Sequence, residues 1–230
     1  MKVFCVVGIR ASGKTTTLTR LTEEFVKRGF HVGTIKTIFC PSFSMDDPKS
    51  NTFRHRRAGA EIICAKAKEE TALLIPRALS NREILSHYTG MDFVLLEGDY
   101  LAPVPRLVAA HNEGDAAPRV NEKTLAIVGR AAAGQKSILG YPAFDPMADI
   151  GALADFLEAH VPDVVPEELD NELPPVEEVT GNGFCQCGCH KHEKLLQEKQ
   201  GITLTIGGKA FPLTQEQKEL VLSWAEKDEA

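Results

Sequence analysis

The residues with the clearest chemical meaning form a glycine-rich segment near the N-terminus, residues 8–15. This segment fits the phosphate-binding pattern G-x-x-x-x-G-K-[ST] at each fixed position. Glycine lets a backbone curl around an anion without a Cβ clash, so backbone N–H groups and a helix N-terminus can point at a phosphate. Lys14 would add positive charge near the β- and γ-phosphates, and the Thr15 hydroxyl would complete a Mg²⁺ shell. The residues predicted to contact a nucleotide are Gly8, Arg10, Ala11, Ser12, Gly13, Lys14, Thr15 and Thr16.

A second candidate group is the carboxylate of Glu97, which ends the apolar run 91–98. A carboxylate at the C-terminal end of a central strand lies close to the Mg²⁺ ion and the γ-phosphate of a P-loop site. There it can hold a metal-bound water or orient a nucleophile. We therefore predict that Lys14 and Glu97 are catalytic and that Thr15 and Glu97 hold Mg²⁺.

Two further groups near the predicted site have less specific patterns. Asp46 and Asp47 lie in a loop-like stretch after the second predicted strand, where they could reach a metal or an attacking water, or could be turn residues that face solvent. Residues 51–60 predict a short helix with an Asn or Thr cap and a glycine stop, and this helix carries three arginines and a histidine. Arg54 is predicted to bind a phosphate or a pterin, and the alternative is a solvated basic face.

A cluster of thiols and imidazoles lies far from the glycine loop in sequence. Three cysteines and two histidines within eight residues supply five soft or borderline ligands, which favours a metal site. Their spacing matches neither a zinc finger nor a standard iron–sulfur pattern, so zinc, nickel and an iron–sulfur cluster all remain open. The predicted ligands are Cys185, Cys187, Cys189, His190 and His192.

The sequence on both sides of the glycine loop predicts the elements that must position it. Residues 3–7 are apolar and rich in valine, which predicts a buried parallel strand. Apolar residues spaced three and four apart between 18 and 25 predict an amphipathic helix that ends near Gly29, and 30–36 predicts a second strand. This β-α-β start predicts an α/β protein of the P-loop NTPase type, with a mostly parallel sheet and helices on both faces.

The rest of the chain alternates between further strands and helices. A capping box at Ser80 and Glu83 predicts a helix start, and a hairpin followed by a helix is predicted near the C-terminus, with the helix capped by Thr214 and Gln217. The other predicted elements are strands at 61–65, 71–75, 91–98, 106–110 and 124–128 and a helix at 148–160.

Charge divides the chain into a near-neutral part and an acidic part. Residues 1–160 hold 20 basic and 18 acidic residues, whereas residues from 161 onward hold 6 and 14. Residues 162–180 contain four prolines, seven acidic residues and no basic ones, which is typical of a linker. We predict a nucleotide-binding domain at 1–160, a linker at 161–182 and a small metal-binding and hairpin-helix appendage at 183–230.

Composition also restricts the partners and the compartment. No basic patch favours nucleic acid or a membrane surface, and no apolar run is long enough to span a bilayer. The N-terminus enters the glycine loop directly, without the pattern of a signal peptide. We therefore predict a cytoplasmic protein, in which six cysteines serve as thiols or metal ligands.

Residues 1–160 resemble the MobB family of molybdopterin-guanine dinucleotide biosynthesis adaptors. The resemblance rests on the glycine loop, on 33–36, on Asp47-Pro48 followed by 52–60, and on 94–98. It implies a homodimer that binds GTP with Mg²⁺, hydrolyses it weakly, and assists a MobA-like nucleotidyltransferase that joins GMP to molybdopterin. Cofactor chemistry based on molybdenum or tungsten is the function that this resemblance predicts.

Two hypotheses of other classes compete with this one. The thiol and imidazole cluster could carry nickel or zinc to an apo-enzyme under nucleotide control, which would make the protein a metallochaperone GTPase. The same glycine loop could instead transfer a γ-phosphate in a small-molecule kinase. No Asn-Lys-x-Asp guanine-reading motif is present, so base choice does not follow from the sequence pattern.

Overall fold

The structure is a computed structural model that describes residues 1–40 and 43–164, together with the backbone of two short strands at 203–206 and 209–212. The chain divides into two compact units, Met1–Phe184 and Cys185–Ala230. Among the described residues, no helix is both long and apolar enough to cross a membrane.

The first unit is built on a seven-stranded, mostly parallel sheet. Its strands are β1 (Lys2–Gly8), β2 (Val32–Lys36), β5 (Phe93–Glu97), β6 (Arg106–Ala109), β7 (Thr124–Val128), β8 (Ser137–Ile138) and β9 (Tyr141–Phe144). Along the sheet they lie in the order β2-β5-β1-β6-β7-β9-β8, and only β8 runs antiparallel to its neighbour. This arrangement confirms the predicted fold class.

Along each buried strand the side chains alternate between the two faces of the sheet, so both faces are apolar. Helices cover both faces for this reason. On β1, Phe4 and Val6 face one core cluster, which includes Leu21 and Leu153 from two helices. Val3, Cys5 and Val7 face the other cluster, which includes Leu85. The helices of the first unit are α1 (Lys14–Lys27), α2 (Asn51–Arg57), α3 (Asn81–Ser86), α4 (Glu113–Ala116) and α5 (Ile150–His160), with 3₁₀ turns at Ala117–Arg119 and Arg130–Ala132.

Helix α1 is held against the sheet and against α5 by specific contacts. The Phe25 ring stacks on the Phe93 ring of β5, with centroids 4.0 Å apart. After the helix ends, Arg28 donates to Glu24 in α1 and to Asp155 and Glu158 in α5. These contacts fix the C-terminal end of α1 relative to the sheet and to α5.

The N-cap of helix α2 lies one residue before the predicted Asn cap. Ser50, rather than an Asn or Thr, is the N-cap, because its hydroxyl accepts the Phe53 N–H. The Asp46 carboxylate accepts hydrogen bonds from the hydroxyls of Ser50 and Thr52, which locks this capping geometry. The predicted capping box at Ser80 and Glu83 is present as expected.

Two small antiparallel pairs lie outside the large sheet. β3 (Ile63–Lys66) and β4 (Thr71–Leu74) match the strands predicted at 61–65 and 71–75, and they pair with each other. In the second unit, β10 (Thr203–Ile206) pairs with β11 (Lys209–Pro212), so the predicted hairpin is also found. The predicted helix that follows it lies outside the described residues.

The described part of the predicted linker is attached to the first unit. Val161 is buried, and the Val164 N–H donates to the Met1 carbonyl. The remainder of 161–182 and the appendage, apart from its hairpin, lie outside the described residues, so the two boundaries between the three predicted segments stay predictions.

Candidate functional site

The glycine loop connects β1 to α1 through backbone conformations that demand small residues. Gly8 and Gly13 have φ values of 153° and 100°, and Ala11 also lies in the left-handed region at 57°. A Cβ atom on Gly8 would lie 2.1 Å from the carbonyl oxygen of Ala109, on the neighbouring strand β6. The first glycine is therefore fixed by sheet packing as well as by its own φ value.

Lys14 is the first residue of α1, and its ammonium group turns back over the loop. It donates to the carbonyl oxygens of Gly8 at 2.9 Å and Ile9 at 2.6 Å. The side chain is buried, and this burial lowers its pKa, although the Glu97 carboxylate acts in the opposite direction. The cation therefore lies beside the backbone that the pattern assigns to phosphate.

Thr15 and Glu97 meet at the same end of two neighbouring strands. The Thr15 hydroxyl donates to Glu97 Oε1 at 2.9 Å. Glu97 is the last residue of β5, which lies parallel to β1, and its carboxylate is buried. The ammonium group of Lys36, at the end of β2, donates to the same carboxylate oxygen. The structure thus brings together the two residues that were predicted to hold Mg²⁺.

Tyr100 is a contact of the glycine loop that the sequence pattern does not reveal. Its hydroxyl accepts the Gly8 N–H at 3.0 Å and donates to the Gly8 carbonyl at 2.6 Å. The turn that carries it is fixed by buried Asp99, whose Oδ1 accepts the N–H groups of Leu101 and Ala102. In the sequence, Tyr100 is marked only by its position three residues after Glu97.

The other side of the loop is supported from the ends of β6 and β7. His111 Nε2 lies 2.8 Å from the carbonyl oxygen of Ala11. Gly129, with φ at 86°, approaches so closely that a Cβ there would lie 2.5 Å from the Ser12 carbonyl oxygen. The sequence pattern predicts neither His111 nor Gly129, because neither lies in a recognisable motif.

The groups around the loop fit a phosphate and a divalent cation. The Ser12 hydroxyl is fully buried and has no hydrogen-bond partner within the described part of the chain. A hydroxyl and a carboxylate, from Thr15 and Glu97, are the hard oxygen ligands that Mg²⁺ prefers. Arg10, Ala11, Thr15 and Thr16 are exposed, so a ligand can reach the outer side of the loop.

The remaining predicted groups do not join this cluster. Arg54 is exposed on α2 and makes no side-chain hydrogen bond or ion pair with any residue that the structure describes. Asp46 serves the α2 cap, and its hydrogen bond from Ser50 lowers its pKa. Asp47 accepts the Lys49 N–H within its own turn. The sequence left two roles open for these aspartates, a contact to a metal or water and a role in a turn. The structure shows both of them in the turn role.

The predicted cysteine and histidine ligands lie outside the described residues, so a metal there stays a prediction; they are Cys185, Cys187, Cys189, His190 and His192. Over 1–40 and 43–164, no three His, Cys, Asp or Glu side chains group closely enough to hold a metal ion by themselves.

Comparison with known proteins agrees with this geometry. The chain is 27% identical over 153 residues to a Bacillus subtilis protein named "Probable molybdopterin-guanine dinucleotide biosynthesis adapter protein", covering 62% of this chain and 86% of the relative. It is also 27% identical over 127 residues to the "Molybdopterin-guanine dinucleotide biosynthesis adapter protein" of Haemophilus influenzae, covering 53% of this chain and 71% of that protein.

Solved structures share the fold. The crystal structure of Bacillus subtilis MobB superposes with a TM-score of 0.56 at 23% identity, covering 71% of this chain and all of that one. A MobB homologue from Bacillus stearothermophilus superposes with a TM-score of 0.53 at 24% identity, covering 70% of this chain and all of its own.

The family model described as "Molybdopterin guanine dinucleotide synthesis protein B" matches residues 3–130. That match spans more than half of the chain and includes the glycine loop, Glu97 and Tyr100. The chain therefore belongs to the MobB family.

Proposed function

We propose that this protein is a GTP-binding adaptor that assists a MobA-like nucleotidyltransferase in forming molybdopterin-guanine dinucleotide. The observation that carries the proposal is the contact between Thr15 and Glu97 beside the glycine loop, in a chain of the MobB family. Both curated relatives are named for this biosynthesis, and neither name supports the metallochaperone or the kinase hypothesis.

The glycine loop supplies the binding energy for the nucleotide in this proposal. Backbone N–H groups of the loop and of the first turn of α1 would point at the β-phosphate, and the buried Ser12 hydroxyl is available to donate to it. Lys14 would exchange its two loop carbonyl partners for phosphate oxygens. Such an exchange replaces neutral acceptors with charged ones and strengthens the hydrogen bonds.

Thr15 and Glu97 would hold Mg²⁺. When bound, this ion would neutralise negative charge on the phosphates. Glu97 Oε1 accepts hydrogen bonds from two donors, Thr15 and Lys36. A carboxylate oxygen engaged in this way is suited to orienting a metal or a water rather than to removing a proton. We therefore expect slow hydrolysis of GTP, in keeping with an adaptor whose main task is binding.

Arg54 and its neighbours on α2 offer a separate surface in the same proposal. The basic side chains of Arg54, His55, Arg56 and Arg57 are exposed. Arg56 lies near enough to Asp46 for its charge to add to the hydrogen bond from Ser50 in lowering the pKa of that carboxyl group. We assign this surface to a phosphate group on the molybdopterin cofactor or on the partner enzyme.

A homodimer is the final part of the proposal. Ile62 and Leu73, beside and within the β3–β4 pair, are 63% and 51% exposed, which leaves apolar surface on a two-stranded pair that is marginal alone. A second copy of the chain would cover such a surface. Sedimentation measurements over a range of protein concentrations would test this association, and a monomer at all concentrations would contradict it.

The deciding experiment is a calorimetric titration of the full chain with Mg-GTP and with Mg-ATP. We expect GTP to bind more tightly than ATP, and Lys14→Ala to weaken GTP binding by about 100-fold, since it removes a charge-assisted contact to two phosphates. Lys27→Ala is the matched control, because Lys27 lies at the other end of α1 and is exposed. Equal GTP affinity in Lys14→Ala and the parent would refute the site, and a preference for ATP would refute the adaptor proposal.

A further inference from the structure

A cavity of about 320 Å³ lies next to the glycine loop but is not part of it. Its volume falls at the lower end of the range for ligand pockets, about 300 to 1,000 Å³. Two arginines contribute to its wall, together with an amide and a phenol. The lining residues are Tyr100, Arg106, Pro118, Arg119, Val120 and Asn121.

The guanidinium of Arg106 is buried and only partly hydrogen bonded. It lies at the start of β6 and is 6% exposed. Its Nη2 donates to the carbonyl oxygens of Tyr100 and Ala102 at 3.2 and 3.4 Å, whereas its Nε is buried with no partner in the described structure. No carboxylate of the described residues forms an ion pair with it, and nearby Asp99 uses Oδ1 to bind two backbone N–H groups. Burying a guanidinium in this way is costly unless an anion meets it.

Arg119 brings a second incompletely satisfied guanidinium to the same cavity. Its Nη1 donates to the Asp115 carbonyl at 2.8 Å, but its Nε is buried and has no partner within the described ranges. It forms no ion pair with any described carboxylate. Asn121 adds an amide that can donate to an oxyanion, although its Oδ1 already accepts the Lys123 N–H.

The cavity adjoins the proposed nucleotide site through two residues. Tyr100 lines the cavity and also hydrogen-bonds both backbone groups of Gly8. Arg119 lies near enough to Lys14 for its charge to contribute to the lowered pKa of that lysine. A molecule in the cavity would therefore lie close to a nucleotide held by the loop.

We propose that this cavity binds the phosphate group of a small phosphorylated molecule, separately from the nucleotide phosphates at the glycine loop. Two guanidiniums match the double negative charge of a phosphate monoester better than the single charge of a carboxylate. In such a complex the Nε donors of Arg106 and Arg119, which are buried and without a partner in the described structure, would turn to meet the phosphate oxygens. The site goes beyond the proposed adaptor function, which requires only the loop and the basic helix.

The test titrates inorganic phosphate into the full-length Lys14→Ala variant, in which phosphate binding at the loop is weakened. The same titration is repeated with the parent chain saturated with a non-hydrolysable Mg-GTP analogue. Sodium succinate at matched ionic strength is the carboxylate probe. We expect one phosphate bound per chain, and at least about 10-fold weaker binding of succinate, because the divalent charge of phosphate is concentrated on one group.

Variants locate the binding within the cavity. Arg119→Gln is expected to weaken phosphate binding about 10-fold, the loss of one charge-assisted contact, while Arg82→Gln, at an exposed arginine on α3, leaves it unchanged. Arg106→Lys should weaken it at least as much. Because Arg106 is part of the core, its substitution could weaken binding through a folding defect. A second measurement therefore leaves both arginines in place: the Nε–Hε NMR signals of Arg106 and Arg119 in the Lys14→Ala chain should shift on adding phosphate.

The proposal is overturned by absence of phosphate binding, by equal affinity in Arg119→Gln and Arg82→Gln, by unshifted Nε–Hε signals, or by tighter binding of succinate. Failure of the adaptor proposal is a separate result, since it would appear as a loss of GTP binding by the parent chain and would leave the measurement in Lys14→Ala valid.

Discussion

The Tyr100 hydroxyl bonds the N–H and the carbonyl group of Gly8 at once, at 3.0 and 2.6 Å. Gly8 is the last residue of β1 and the first glycine of the phosphate pattern. The peptide groups on both sides of this glycine are therefore oriented by a single side chain, which arrives from the loop after β5. Such contacts prepare a loop for its ligand by reducing the number of conformations it can adopt.

Tyr100→Phe removes both hydrogen bonds and keeps the aromatic ring. We expect the free energy of unfolding to fall by about 1 kcal/mol and the affinity for Mg-GTP to fall about fivefold, because ordering of the loop must then accompany binding. Calorimetry and urea unfolding measure the two effects.

Tyr88→Phe is the matched control for this change. The Tyr88 hydroxyl donates to the Thr34 carbonyl in β2, away from the glycine loop. It should lose similar stability, about 1 kcal/mol, with no change in GTP affinity. Equal affinity losses in the two variants would show that Tyr100 acts only through overall stability.

Glu97→Gln tests the proposed role of the carboxylate. The amide keeps the size of the side chain but removes the charge that Thr15 and Lys36 contact, so we expect Mg²⁺ to bind less well at the nucleotide. The rate of GTP hydrolysis should fall about 10- to 100-fold, and the gain in GTP affinity on adding Mg²⁺ should largely disappear.

A double-mutant cycle separates this role from a general one. Thr15→Val and Glu97→Gln should be non-additive, because each removes a partner of the other. Thr22→Val serves as control, since its hydroxyl donates to the Leu18 carbonyl further along α1. Additive effects of Thr15→Val and Glu97→Gln on Mg²⁺-dependent binding would contradict a shared metal site.

The meeting of Thr15 and Glu97 could be predicted from sequence because it depends on rules that apply to all parallel sheets. Glu97 ends an apolar strand and Thr15 follows the loop after another, and the C-terminal ends of neighbouring parallel strands open on one edge. Tyr100 and Gly129 could not be predicted in this way. Their contacts depend on how a loop turns back after its strand, and hydrophobic periodicity carries no information on that path.

The β8–β9 pair shows a second limit of sequence patterns. Leu139 and Gly140, between the two strands, both have positive φ values, at 53° and 80°. Turns of this kind usually contain Asn or Asp followed by Gly. Because leucine occupies the first position here, the sequence does not predict the hairpin. Strand β8 is also only two residues long, too short for an alternating pattern to be recognised.

The buried ammonium group of Lys14 predicts a particular dependence of stability on pH. Burial lowers the pKa of Lys14 in the folded state, more than the Glu97 carboxylate raises it. Below the folded pKa, the lysine is charged in both states and the full cost of its burial is present. Between the folded and the unfolded pKa, the unfolded chain binds more protons, so stability rises with pH.

This linkage is measurable as a difference between variants. The parent should gain stability relative to Lys14→Met as the pH rises from neutral to about 10, close to the ordinary pKa of lysine. Urea unfolding at each pH gives the two free energies. Lys27→Met, at an exposed lysine of the same helix, should show no such trend, and a parallel trend in both variants would indicate a general effect of alkaline pH.

Gly129→Ala tests whether β7 supports the glycine loop. The alanine Cβ would lie 2.5 Å from the Ser12 carbonyl oxygen, and the residue would have to keep a φ value of 86°. Because the atom in the way is loop backbone, the loop must shift to accept it. We expect a loss of about 2 to 4 kcal/mol in the free energy of unfolding and at least about a 10-fold loss in GTP affinity.

Gly134→Ala is the matched control, since Gly134 has φ at 69° but nothing within 4 Å of its Cβ position. It should lose only about 1 to 2 kcal/mol through backbone strain and should retain its GTP affinity. Equal stability and equal affinity in the two variants would mean that the contact between Gly129 and Ser12 does not constrain the loop.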